Sequence, residues 1–292
     1  MSLWIGECVI LQSVGWMFGT VLSFCLLAIG ARELTGELST FQVLFFRGLI
    51  GLAIVTVLIM ATKNFTLFTT KRLKLHAARN SIHLIGQYGW FVGIALLPLA
   101  QVFALEFTVP LWTALIAAVF LGERLTGKKA LSIVLGLVGV LIIVKPSTDA
   151  VDMASLIVLG VAVCYAVSHV ATKSLASTEH PLTILFMMCV MQLPVVFLFS
   201  LDNWQWPTSV EWMWLTLIGI TALSAHFCLA KAMVTTEVTL VMIMDFLRLP
   251  AIGVVGVLFY NEAFELSLIV GALIMLLGNV SALSRKSKSV SS

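Results

Sequence analysis

Long apolar stretches recur along the whole chain, and each has about the length of a membrane-spanning helix. Such a helix needs roughly 20 mostly apolar residues to cross a bilayer. Ten stretches meet this description: residues 8–30, 41–60, 77–97, 100–121, 130–144, 153–172, 182–201, 210–230, 238–260 and 266–283. The longest segment between them, residues 61–76, is too short for a soluble domain. The pattern therefore predicts an all-α membrane protein with ten transmembrane helices.

Composition supports the same class of protein. Hydrophobic residues make up 60% of the chain, charged residues make up 11%, and the mean hydropathy is +1.09. Soluble domains carry roughly a quarter charged residues, so lipid must be the solvent for most of this chain. The net charge of +3 is small and its basic residues lie in loops, which argues against a nucleic-acid partner. The five cysteines form no CxxC pair, and we expect no metal and no cofactor.

The distribution of Lys and Arg predicts the orientation, because cytoplasmic loops are enriched in these residues. With the N-terminus in the cytoplasm, the outside loops hold only Arg32 and Lys145. The inside loops then hold twelve basic residues: Lys63, Lys71, Arg72, Lys74, Arg124, Lys128, Lys129, Lys173, Lys231, Arg285, Lys286 and Lys288. The sequence thus predicts a multi-pass protein of the cytoplasmic (inner) membrane with both termini in the cytoplasm.

The two halves of the chain also match each other at a shift of 139 residues, which indicates an internal repeat. The shift pairs Gln87 with His226, Glu106 with Asp245 and Glu123 with Glu262, and it brings Pro110 within one position of Pro250. Each half holds an odd number of predicted helices, so the second half must cross the membrane upside down. We therefore predict two inverted five-helix repeats, residues 1–146 and 147–284, followed by a cytoplasmic tail at residues 285–292. Inverted repeats are common in secondary transporters.

Particular segments resemble a known family. Residues 98–123 (PLAQVFALEFTVPLWTALIAAVFLGE) and 237–262 (EVTLVMIMDFLRLPAIGVVGVLFYNE) resemble repeat ends of the EamA family in the drug/metabolite transporter (DMT) superfamily. The second repeat departs from the family by having YNE where an apolar residue, Gly and Glu are usual. The resemblance implies ten helices and a central cavity lined by helices one to four and six to nine. It also implies that helices five and ten are peripheral, where a homodimer would form, and that the substrate is an amino acid, another small metabolite or a drug.

Five charged residues fall within predicted helices, where charge is costly and usually faces a cavity or a partner. They are Arg47, Arg79, Glu106, Asp245 and Arg248. Glu106 is a candidate proton acceptor or counter-charge for a cationic substrate; its alternative role is a structural partner for Arg79 or Arg47. Asp245 precedes Arg248 by three residues, so the two can pair along one helix. Such a pair either neutralises itself or forms a gate that opens when substrate competes for one partner.

Polar residues on the third predicted helix share one face. Arg79, His83, Gln87 and Phe91 are spaced four apart, with Trp90 beside them. This face either lines an aqueous cavity or bonds to neighbouring helices, and Arg79 has the further option of reaching the headgroups. His226 joins the candidates because the repeat pairs it with Gln87.

Aromatic and proline residues add further hypotheses. Trp16, Trp90 and Trp112 are able to form a cage for a quaternary amine. Pro110 and Pro250 are predicted to lie in mid-helix, where each would serve as a hinge or a static kink. Glu123 and Glu262 are predicted to cap the N-termini of the fifth and tenth helices.

Together these features favour a secondary transporter that moves a small organic metabolite by alternating access. No GxxxxGK[ST] phosphate loop is present, and neither HExxH nor GxSxG occurs. Those absences make an intramembrane enzyme the weaker alternative, beside a non-transporting sensor or assembly subunit. The buried acids favour an amine and the arginines a carboxylate, so an amino acid, an amine or a related zwitterion is the expected substrate.

Overall fold

A computed structural model of the chain describes residues 2–123, 125–144, 153–245, 247–261 and 266–283. Within these ranges every regular element is a helix. The α-helices are α1 (Ser2–Glu33), α2 (Thr40–Thr62), α3 (Leu73–Leu96), α4 (Leu99–Glu106), α5 (Val109–Phe120), α6 (Gly127–Val144), α7 (Met153–Ala176), α8 (Pro181–Ser200), α9 (Ser209–Thr235), α10 (Val238–Asp245), α11 (Arg248–Tyr260) and α12 (Leu266–Leu283). Short 3₁₀ helices cover Phe65–Phe68 and Leu201–Asn203.

Seven helical stretches in the described ranges are long and apolar enough to cross a membrane. They are Gln12–Glu33, Thr40–Thr62, Leu99–Phe120, Met153–Ala176, Pro181–Asn203, Ser209–Thr235 and Val238–Tyr260. Helix α3 is not among them, because its polar residues lower its mean hydropathy. Those same polar residues turn out to build much of the site.

The fourth and ninth predicted helices are not continuous, which corrects the prediction from the sequence. Helix α4 ends at Glu106 and α5 begins at Val109, while α10 ends at Asp245 and α11 begins at Arg248. Pro110 therefore lies in the first turn of α5 rather than in mid-helix, and Pro250 lies in the first turn of α11. A proline lacks the backbone N–H and clashes with the carbonyl four residues earlier, so it fits a first turn and interrupts a longer helix.

Contacts between helices join the two halves of the chain. Helix α1 packs against α9, α3 against α7, α2 against α8 and α6 against α12. The half-helices are also paired, α4 with α11 and α5 with α10. These pairings follow the repeat, because α7 and α9 occupy in the second half the positions of α1 and α3 in the first.

Glycines bring α3 and α7 unusually close together. A Cβ atom added to Gly89 or Gly93 would lie 2.6 Å from a methyl carbon of Val161 or Val158, respectively. Real Cβ atoms do not approach other atoms so closely, so only glycine fits at these two positions. This is the small-residue packing by which membrane helices associate, and it holds the polar face of α3 against α7.

Polar contacts cluster at the end of the bundle where α2 ends and α3 begins. Lys129 forms an ion pair with Glu237, and His76 Nε2 lies 2.7 Å from Glu179 Oε2. Arg72 donates from Nη2 to Ser174 Oγ at 2.8 Å. We call this end of the bundle the lysine-rich end. Each of the three contacts joins the first half of the chain to the second.

Glu123 also belongs to this end, but it caps a different helix from the one predicted. Its carboxylate accepts hydrogen bonds from the backbone N–H of Val238 at 2.9 Å and from Thr239 Oγ1 at 2.7 Å. It therefore caps the N-terminus of α10, across the repeat, and not the N-terminus of α6. The corresponding Glu262 lies outside the described residues.

Candidate functional site

A cavity with about 40 Å³ of space for water-sized molecules lies inside the bundle, beside both helix interruptions. Its walls come from α1, α2, α3, α4, α7, α9, α10 and α11. Fifteen residues line it: Phe24, Leu27, Arg47, His83, Gln87, Trp90, Phe91, Glu106, Tyr165, His169, His226, Leu229, Met242, Asp245 and Arg248. Seven of the eight residues predicted to bind substrate or protons are in this set, and Arg79 is the exception.

The two helix interruptions bring three charged groups together. Arg248 donates from Nη2 to Glu106 Oε1 at 2.6 Å and to Asp245 Oδ2 at 2.8 Å. All three side chains are buried. Trp90 donates from Nε1 to the second oxygen of Glu106 at 2.9 Å. The structural partner of Glu106 is thus Arg248, and the predicted alternative pairing with Arg79 or Arg47 is wrong.

Aromatic rings surround the same guanidinium group. Arg248 Cζ lies 4.6 Å from the ring centroid of Phe24, 5.1 Å from that of Phe103 and 5.5 Å from that of Phe107. Cations are attracted to aromatic faces at such distances. Arg248 is therefore held by two carboxylates and three rings, and of the rings only that of Phe24 also lines the cavity.

The predicted tryptophan cage is not formed. Trp90 lines the cavity, but Trp16 and Trp112 do not. Trp16 packs edge-on against Phe227 with ring centroids 6.0 Å apart, and Trp112 is 36% exposed on the outside of α5. The aromatic rings that face the Arg248 cation are instead those of the three phenylalanines around it.

The polar face of α3 divides into a cavity part and a structural part. His83 and Gln87 line the cavity, as the pattern predicted. Arg79 does not; it donates from Nε to Thr172 Oγ1 at 3.1 Å and from Nη1 to Asn80 Oδ1 at 2.6 Å. Arg79 is absent from the cavity lining, and its bond to α7 is the second of the roles predicted for this face.

Two histidines from the two halves of the chain lie next to each other. The rings of His83 and His226 are 4.9 Å apart at their centroids. His83 Nδ1 also lies 3.2 Å from Nε2 of Gln192, a residue of α8. The repeat pairs His226 with Gln87, and this pairing correctly predicted that His226 lines the cavity. The ring nearest to His226 in the first half of the chain is, however, that of His83.

Sequence reasoning missed several cavity residues. Tyr165 and His169, four apart on α7, lie on the wall facing α3, and their spacing was a signal of one shared face. Arg47 was noted as a charge inside a helix but was not chosen as a site residue. Among the described residues, no group of three His, Cys, Asp or Glu side chains is arranged to hold a metal ion.

The comparisons with known proteins identify the family. The model of the EamA-like transporter family matches residues 11–145 and again residues 152–283. The chain belongs to the EamA-like transporter family. This family lies within the DMT superfamily, and the twofold match shows that the chain contains two repeats. The chain is accordingly a multi-pass membrane transporter and not an enzyme, as the sequence predicted.

Named relatives cover most of the chain at low identity. The S-adenosylmethionine uptake transporter of Rickettsia prowazekii is 23% identical over 97% of this chain and 96% of its own length. A riboflavin transporter of Brucella anthropi is 31% identical over 74% of this chain and 80% of its own length. The pseudopaline exporter of Pseudomonas aeruginosa is 25% identical over 94% of this chain and 97% of its own length. These relatives establish a transporter of small metabolites.

A solved structure shows the same fold. A crystal structure aligns with a TM-score of 0.75 over 93% of this chain and 96% of its own, at 19% identity. At that identity the likeness concerns the arrangement of helices and not the substrate.

Proposed function

We propose that the protein is a secondary transporter that moves a zwitterionic small metabolite, an amino acid or a related amine, by alternating access. The observation that carries this proposal is the buried cluster of Glu106, Asp245 and Arg248 at two helix interruptions beside a cavity. Interrupted helices at the interface of two repeats are the usual site architecture of secondary transporters. A cation site that an internal arginine fills is one for which the cationic group of a substrate can compete.

One of the relatives supports this substrate class. S-adenosylmethionine, the cargo named for one relative, is an amino acid that also carries a sulfonium cation. Riboflavin, named for another relative, is uncharged, so the class proposed here depends on the charged cluster of this chain.

The proposal includes a topology. Helices α4 with α5, and α10 with α11, each count as one span, so the chain has ten transmembrane helices in two inverted repeats of five. The repeats are residues 1–146 and 147–284. The lysine-rich end faces the cytoplasm, as do both termini and the tail at residues 285–292, and the membrane is the inner membrane. A homodimer would form through α6 and α12, which pack against each other at the side of the bundle.

A flux assay with a mixture of candidate compounds tests the function. Proteoliposomes are loaded with amino acids, polyamines, S-adenosylmethionine and riboflavin, and the external medium is followed by mass spectrometry. We expect one or a few zwitterionic compounds to cross faster than from protein-free liposomes. A folded, reconstituted protein that moves none of these compounds would instead support the sensor or assembly-subunit alternative.

A further inference from the structure

One arginine in the cavity wall has no ion-pair partner among the residues that the structure describes. Arg47 on α2 is only 7% exposed, and its Nε atom is buried and unpaired. It forms no hydrogen bond or ion pair with the part of the chain that the structure describes. An arginine stays charged in proteins, and buried charges in membranes are normally paired. A bound ligand would supply the partner that the described residues do not.

A second unpartnered group lies on the same wall. Gln87 is 3% exposed, and both its side-chain nitrogen and its side-chain oxygen are buried without a partner among the described residues. Arg47 and Gln87 both line the main cavity and also a second, smaller one. Two side chains with unused hydrogen-bonding groups thus lie on the wall that the two cavities share. Buried amides and guanidinium groups without partners are rare unless a water molecule or a ligand satisfies them.

The charges of the cavity indicate what that ligand carries. Its wall holds two acids, Glu106 and Asp245, and two arginines, Arg47 and Arg248. Both acids pair with Arg248, which leaves the positive charge of Arg47 unmatched at its own position. A planar guanidinium matches a carboxylate through two parallel hydrogen bonds, and a neighbouring amide N–H supplies a third donor.

We infer that Arg47 and Gln87 form a carboxylate-binding subsite, which holds the carboxylate of a zwitterionic substrate while its cationic group faces Glu106 and Asp245. This inference rests on the proposed transport function and narrows it to substrates with a carboxylate. A zwitterion adds one charge of each sign, so it pairs the free arginine without disturbing the overall charge balance of the cavity.

Thermal unfolding of the purified full-length protein tests the subsite. The probes are a mixture of amino acids, the matching mixture of amino acid amides, and potassium chloride and potassium phosphate at equal ionic strength. We expect the amino acids to raise the unfolding midpoint and the other three to leave it unchanged. Arg47→Gln should weaken the apparent affinity for amino acids roughly 30-fold or more, as expected when one partner of a buried charge pair is removed.

Two further variants keep the test decisive if Arg47→Gln folds poorly. Gln87→Glu places a carboxylate beside Arg47, so it should raise the midpoint without ligand and abolish the response to amino acids. Arg32→Gln is the control, because Arg32 donates to the carbonyl oxygens of Ile94 and Leu97 away from the cavity. It should keep the response to amino acids.

Several results would overturn the subsite: no response of the wild type to amino acids, an equal response to amides, chloride or phosphate, or an unchanged response in Arg47→Gln and Gln87→Glu. The flux assay separates this failure from failure of the function. If the wild type and Arg47→Gln carry carboxylates and amides equally well, the protein is a transporter but Arg47 does not bind a carboxylate. If amino acids stabilise the wild type through Arg47 but nothing crosses the membrane, the subsite is confirmed and the transport function is refuted.

Discussion

At the scale of single residues, the candidate site is centred on one arginine. Arg248 is held by two carboxylates and faced by three phenylalanine rings. Removing one partner of a buried ion pair typically costs about 3–5 kcal/mol, because the other charge is left uncompensated. A substrate cation that displaces Arg248 from Glu106 leaves the arginine with Asp245, so neither charge loses all its partners. The gate considered for Asp245 and Arg248 is therefore better described as a three-membered cluster.

The first prediction concerns Glu106. We expect Glu106→Gln to fold, because Arg248 retains Asp245 and the amide oxygen still accepts one hydrogen bond. Its transport rate in proteoliposomes should fall roughly tenfold to a hundredfold, the change expected for loss of a hydrogen bond to a charged group. Asp202→Asn, an exposed change in the 3₁₀ helix Leu201–Asn203, is the matched control and should transport normally. A monodisperse Glu106→Gln protein with wild-type flux would show that the carboxylate has only a structural role.

The sequence predicted some of these site residues and not others, depending on whether their type and position are unusual in an apolar helix. The 139-residue shift singled out Glu106 and Asp245, because a charge at repeated positions in apolar helices has few explanations. It did not reveal that one nitrogen of Arg248 contacts both acids. That contact depends on how α4 and α11 are rotated about their axes, which apolar periodicity does not specify. Phe24 and Phe103 carried no signal, since phenylalanine is common throughout the chain.

At the scale of helices, interruption is the feature that creates the site. Helices α4 and α10 each end on the acid that contacts Arg248, and each is followed after a short gap by a helix with a proline in its first turn. The sequence located both prolines but predicted continuous helices, because the residues on both sides of each interruption are mostly apolar. The role of these prolines as hinges stays a prediction. The expected point of bending is now the gap that precedes each proline, and not the proline itself.

The second prediction concerns the cap of α10. We expect Glu123→Gln to lower the free energy of unfolding by about 0.5–2 kcal/mol, the usual cost of losing an N-cap. The amide keeps one oxygen acceptor but loses the negative charge that favours a helix N-terminus. Thermal unfolding in detergent measures the effect. Glu211→Gln, at the exposed capping box of α9, is the control and should cost less because water replaces its bonds. Equal unfolding midpoints for wild type and Glu123→Gln would show that this cap contributes nothing.

At the scale of the whole molecule, the repeat explains why the two ends of the bundle can respond in opposite senses. The main helix pairings in the described ranges join one half to the other. Under the proposed alternating access, a movement of one half against the other would close one end as it opens the other. At the lysine-rich end, contacts from Lys129, His76 and Arg72 bridge the halves. These contacts must break for the cavity to open toward that end. The sequence predicted the excess of basic residues there but not their partners, which lie about a hundred residues away along the chain.

The last prediction follows from that bridge. In a background with the five native cysteines replaced, Lys129→Cys and Glu237→Cys are introduced together and joined by a reducible bifunctional maleimide. The two side chains are in contact, so the reagent should link the halves and hold the lysine-rich end closed. Flux in proteoliposomes should then stop and should return when the linker is reduced. Each single-cysteine variant, treated in the same way, controls for loss of the ion pair and for the bulk of the reagent. A fully cross-linked double variant that still transports at the rate of the singles would show that this end does not need to open, and alternating access between these halves would have to be abandoned.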